Sequence, residues 1–128
     1  MLGMQTRTTL TTQDEGRVLA KAALRAADHL GVKAKTLGSV IGLSEPSVSR
    51  LKRGEFLLER GTKPFELAAL FVRLYRSLDA IVGGDETVAR AWLRNENTAL
   101  DGKPIEKIQT VAGLVDAIAY LDARRAAV

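Results

Sequence analysis

The feature that most constrains this 128-residue sequence is a glycine-hinged pair of short apolar stripes, AKTLGSVIGLSEPSVSRLKRG (Ala34–Gly54). Leu37, Val40 and Ile41 recur at helical spacing, which predicts a short helix from Ala34 to Ile41 that ends at Gly42. Ser44 is a good N-cap for a second helix, and Pro46 is tolerated in its first turn. Val48 and Leu51, three apart, form its buried side, and Gly54 ends it. The hinge residue must tolerate positive φ, which Gly42 does, and Gly38 supplies the small residue needed where two helices cross closely. Leu43 plugs the turn. Ser47, Ser49, Arg50, Lys52 and Arg53 are then left pointing outward. Taken together, these requirements describe a helix-turn-helix.

The rest of the chain reads as helix too. Residues 1–11 are polar, threonine-rich and without period, which predicts a flexible arm. Thr12 and Glu15 fit a capping box opening a helix that runs to Gly31. Residues 55–63 read as a connector. A long helix is predicted over 64–82, ended by Gly83-Gly84, and Asp85 caps the next, which carries Val88, Ala91, Trp92 and Leu93. A loop over 95–103 leads to a short helix at Pro104 bearing Ile105 and Ile108. Thr110 caps a last helix with Val111, Leu114, Val115, Ile118 and Leu121 on one stripe. No segment alternates with period two, so the expected class is all-α without a sheet. The division expected is a helix-turn-helix unit over 12–63 and a second helical unit over 64–128.

The long helix is apolar around more of its circumference than one packing partner needs. Burial between the two halves of the chain would account for this, as would a homodimer seam through Phe71, Leu74, Tyr75 and Leu78. The dimer is the favoured reading, because a single helix-turn-helix binds a half-site weakly and two-fold symmetry doubles the contact.

Charge points to the partner. Lys33, Lys35, Arg50, Lys52 and Arg53 stand against Glu45 alone, so residues 32–53 hold the entire net charge of +4 and the remainder sums to zero. Concentrated positive charge on a helix-turn-helix is the footprint of a phosphate-binding face, here one expected to bind operator DNA. Ser47 and Arg50 are the expected base readers; Lys35, Ser44, Ser49, Lys52 and Arg53 are the expected phosphate contacts. An enzyme is not expected. The sole histidine, His29, sits near a helix end with no cysteine or clustered carboxylate to pair with, and neither a phosphate-binding glycine loop nor metal-ligand spacing occurs. No cofactor or metal is therefore expected. The absence of cysteine excludes disulfides and is compatible with a reducing cytosol. No apolar run approaches the roughly 20 residues that span a bilayer, and no signal peptide is read at the N-terminus, so the expected location is cytoplasmic, away from membranes.

The stretch Ala34–Gly54 resembles the Xre, phage-repressor-like class of helix-turn-helix proteins. Residues Ala68–Ala123 resemble the toxin-binding domain of the MbcA/ParS/Xre antitoxin family. The matching features are the long helix broken at Gly83-Gly84, Trp92-Leu93, then Asn97, Ala99, Leu100, Gly102 and Pro104, the Ile105/Ile108 turn, and Thr110 with Gly113. Glu96 stands where a proline often precedes the asparagine, and Asp101 where glycine is frequent. The two similarities cover nearly the whole chain beyond residue 12. They imply the antitoxin of a type II toxin–antitoxin pair, one that represses its own operon, dimerises, and binds a RES-domain toxin that consumes NAD+ or a related ADP-ribosyl-transferase-like enzyme. On that reading, Asn97 and the C-terminal group Tyr120, Asp122, Arg124 and Arg125 are the candidate toxin contacts, with the arginine-bearing end as a plug for a nucleotide-binding entrance. For Asn97, a turn-holding role is the stronger reading. A stand-alone transcriptional regulator and an adaptor that uses the helix-turn-helix only as a scaffold are the alternatives.

Overall fold

Residues 11–127, which the computed structural model describes, form seven helices: α1 (Thr12–Leu30), α2 (Ala34–Ile41), α3 (Glu45–Lys52), α4 (Lys63–Val82), α5 (Glu86–Arg94), α6 (Pro104–Lys107) and α7 (Val111–Ala126). No strand occurs among them; the one bridge pairs Asn97 with Gly102 inside a loop. The expected arm lies outside the described residues except for Thr11. Thr11 itself is the cap of α1, its Oγ1 accepting from the Asp14 amide at 3.0 Å, and the expected cap Thr12 is the first helical residue. Glu15, the expected box partner, instead accepts from Arg60 of the connector at 3.1 Å.

The remaining punctuation follows the sequence. Ser44, Asp85 and Thr110 each accept an amide of the turn they cap, at 3.2, 3.2 and 3.0 Å. Gly31, Gly42 and Gly83 close α1, α2 and α4 in the left-handed region. Such caps satisfy amides and carbonyls that a helix end would otherwise leave without partners. Asp101 is the one non-glycine residue with positive φ among the described residues, at 58°, in the position where glycine is frequent in the resembled family.

Helix α4 is the axis of the fold. It packs against α1, α2, α5 and α7, while α3 rests on α2, and α6 bridges α5 and α7. One continuous core results, running from Ala23 and Leu30 through Leu37 and Val48 to Leu114 and Leu121. This explains the wide apolar face of α4 and corrects the expected dimer seam. Phe71, Leu74 and Leu78 are fully buried within the chain itself, so they have no surface to offer a second copy. Tyr75 is half-buried and stacks on the His29 ring at 5.5 Å between centroids, joining α4 to the end of α1.

Two arginines of α5 tie the second half of the chain to the first. Arg90 donates to the carbonyls of His29 (2.8 Å) and Asp28 (3.0 Å). Arg94 donates to those of Leu30 (3.0 Å) and Gly31 (2.8 Å). Together the two guanidinium groups gather the carbonyls at the C-terminus of α1, where positive charge is favoured by the helix dipole. His29 completes the junction by a hydrogen bond with Glu86 at the start of α5.

The connector before α4 also packs more closely than its composition suggests. Leu58 is 1% exposed, and its carbonyl lies so close to Gly16 that a Cβ there would sit 2.2 Å away. Elsewhere the predicted stripes shift. α5 buries Ala89 and Leu93 but leaves Val88 exposed, and α7 buries Leu114, Ala117, Ile118 and Leu121 but leaves Val111 and Val115 exposed.

Candidate nucleic-acid interface

The turn between α2 and α3 is built as its residue types demand. Gly42 has φ of 77°, and its amide and that of Leu43 both donate to the Gly38 carbonyl, at 2.8 and 2.9 Å. A Cβ on Gly38 would lie 2.4 Å from the Leu43 carbonyl oxygen, so the close crossing requires glycine. Leu37, Val40 and Ile41 of α2 and Val48 and Leu51 of α3 are buried as predicted. This fixes the face that α3 turns outward.

On that face Arg50, Lys52 and Arg53 are exposed, with Ser44 at the leading end and Lys35 exposed on α2; Ser49 is half-buried. Arg53 pairs with Glu55 at 3.0 Å, whereas Lys35 and Lys52 form no ion pair among the described residues. Ser47 departs from the expected outward position. It is 8% exposed, covered by its own neighbours. Its Oγ accepts from the Ser44 hydroxyl at 3.0 Å and from Arg50 Nη2 at 2.9 Å. The helix period explains this, since residues three apart lie on one face within reach of each other. The two expected base readers are therefore a coupled pair, with Arg50 exposed and Ser47 beneath it.

The candidate toxin contacts divide. Asn97 Oδ1 accepts from the Leu100 amide at 3.2 Å, so its side chain holds the loop turn. Asp122, named with the plug residues, is turned toward α4. Its carboxylate accepts from Ser77 Oγ at 2.8 Å and Arg73 Nη2 at 2.5 Å, tying α7 to α4. The Ser77 hydrogen bond, then the Arg73 guanidinium with a weaker contribution from Arg125, holds that carboxyl below the usual aspartate range. Arg125 reaches the Ser77 hydroxyl at 3.4 Å. Arg124 donates to the Tyr120 hydroxyl at 3.0 Å and lies 5.7 Å from its ring centre; Tyr120 in turn stacks on Trp92. The terminal turn is therefore held against α4 and α5 by specific contacts. Trp92, read as a core residue, is only half-buried beneath Tyr120. Ser77 escaped the sequence reading, because a serine in the middle of an apolar helix carries no signal until its carboxylate partner is placed beside it.

Comparison with known families gives two matches. The antitoxin Xre-like helix-turn-helix domain matches residues 9–73, just over half of the chain, and the antitoxin Xre/MbcA/ParS C-terminal toxin-binding domain matches residues 77–126. One match ends and the other begins within α4. Both are binding modules, not enzyme families. No curated protein matches the chain. Among the described residues, no helix is long and apolar enough to cross a membrane.

Proposed function

Since this chain belongs to the Xre/MbcA/ParS antitoxin family, with both its helix-turn-helix and its toxin-binding domain present, we propose that it is the antitoxin of a type II toxin–antitoxin pair that neutralises a RES-domain, NAD+-consuming toxin and represses its own operon. The observation that carries the DNA half is the outward face of α3, where Arg50, Lys52 and Arg53 stand exposed on a helix set by the Gly42 turn. Placed in a major groove, α3 reads base edges through Arg50 and contacts phosphates through Ser49, Lys52 and its caps Ser44 and Arg53, with Lys35 of α2 adding a further phosphate contact. Repression by a homodimer fits two-fold operator symmetry, with the seam on a surface other than the buried face of α4.

The toxin half rests on the family and on the exposed side of α7. Val111 and Val115 are each nearly half exposed there, and Tyr120, Arg124 and Arg125 lie further along the same helix. An exposed apolar stretch at one end of α7 and guanidinium groups at the other suit a partner that binds an anionic nucleotide.

Two experiments test the proposal. Co-expression with the neighbouring gene should relieve that gene's toxicity and yield a stable complex; growth arrest unaffected by this chain would refute the antitoxin role. Binding to the DNA upstream of its own gene should weaken steeply with salt, and Lys52→Ala should lower the slope of log affinity against log salt by about one. A salt-independent interaction would remove the phosphate contacts from the account.

A further inference from the structure

The hydrogen bonds of Ser47 define which bases α3 can read, an inference that rests on the DNA-binding reading above. A serine hydroxyl has two acceptor lone pairs and one proton to donate. In this chain Ser47 Oγ receives the Ser44 hydroxyl at 3.0 Å and Arg50 Nη2 at 2.9 Å, so both acceptor positions are filled. Arg50 has no acceptor at all, and apart from the bond to Ser47 its guanidinium N–H groups have no hydrogen-bond partner among the described residues. Ser44 Oγ is itself engaged by the Ser47 amide at 3.2 Å. The Ser47–Arg50 pair therefore presents donors only, while Ser44 Oγ, with one lone pair taken by that amide, keeps a second. The one carboxylate of this helix, Glu45, is two residues from Ser47, about 200° around the axis, and lies on the other side.

We infer that Ser47 and Arg50 form a donor-only reading head that selects guanine in the major groove, with Arg50 as the reader and Ser47 as a positioning residue. Guanine is the base that offers two neighbouring acceptors, O6 and N7, which match the fork of a guanidinium. Adenine and cytosine each place an amino donor on that edge, and a head without a free acceptor leaves that donor unmatched. Thymine offers a single oxygen. Ser47 acts by holding the Arg50 side chain back toward the N-terminal end of α3, the end that enters the groove in this class of motif. Little of Ser47 is exposed, so it governs base choice through Arg50.

The test is selection from a pool of random duplexes with the full chain, followed by affinity measurements on the selected site. The expected result is a guanine in each half-site whose replacement by deazaguanine, which lacks N7, weakens binding about tenfold. Arg50→Ala should bind weakly and be indifferent to that replacement. Ser47→Ala, checked for native helicity by circular dichroism, should still bind duplex DNA at about 50 mM salt but lose most of the guanine preference, and Ser47→Thr, which keeps the hydroxyl, should restore it. Full guanine preference in Ser47→Ala, or a selected site with no guanine sensitive to Arg50, would overturn the inference and leave DNA binding standing. Retention of no duplex by the unaltered chain even at low salt would instead overturn the DNA-binding reading itself.

Discussion

Replacing Gly38 with alanine sets two known effects against each other. In an unobstructed helix interior, glycine to alanine stabilises by about 0.5–1 kcal/mol, because glycine loses more backbone freedom on folding. At Gly38 the added methyl would lie 2.4 Å from the Leu43 carbonyl oxygen and 3.5 Å from a Val48 methyl. The nearer neighbour is backbone, held by the same turn whose two amides bind the Gly38 carbonyl. Restoring ordinary contact moves that turn by about 1 Å and drags the Leu43 plug and the Ser44 cap with it. Forced overpacking costs about 1–3 kcal/mol, and rigid backbone places this site toward the upper part of that range. The overlap therefore outweighs the propensity gain, and Gly38→Ala should lose about 1–2 kcal/mol in urea unfolding followed by circular dichroism. Ser39→Ala, at the exposed neighbouring position, serves as the control and should change stability by no more than about 0.5 kcal/mol. DNA affinity of Gly38→Ala should fall further than its stability alone accounts for, because α3 is displaced relative to α2. A variant as stable as the parent chain would show that the crossing is loose and that glycine there is incidental.

Three other outcomes follow from the packing and the charges. Phe71→Ala should cost about 3–5 kcal/mol in urea unfolding, since the side chain is fully buried; sedimentation showing a well-folded chain with altered subunit number would instead revive the dimer seam at this position. Asp122 has its carboxyl held below the ordinary range by Ser77 and Arg73, so it contributes stability at neutral pH that is lost as pH falls below about 4, and Asp122→Asn should be less stable at pH 7 with a flatter acid limb; identical pH profiles for the two chains would contradict this. Arg94→Ala leaves the carbonyls of Leu30 and Gly31 without their charged donors and should lower stability by about 1–2 kcal/mol, more than Ala at the more exposed Arg90, as read from the urea midpoints.

Most of the secondary structure was legible because its signals are local. A glycine that can adopt positive φ ends a helix wherever it falls, and a serine, threonine or aspartate oxygen caps the amides three residues on, so Gly31, Gly42, Gly83, Ser44, Asp85 and Thr110 could be read without knowing the fold. The one misplaced cap, Thr12 for Thr11, arose where two threonines adjoin and Glu15 offered a plausible partner that in fact reaches Arg60.

What lay beyond the sequence was which apolar face meets which. Periodicity shows that α4 has more apolar circumference than one neighbour covers, but it does not say whether a second chain or this chain's own α1, α2, α5 and α7 cover it; only packing decided that Phe71, Leu74 and Leu78 lie inside. Polar groups divide the same way. Ser47 with Arg50 and Arg124 with Tyr120 pair within one helical turn, whereas only the fold brings Asp122 to Ser77. Capping and turn chemistry depend on residues a few positions apart, while burial and long-range pairing depend on residues brought together from across the chain, as the 45-position separation of Ser77 and Asp122 illustrates.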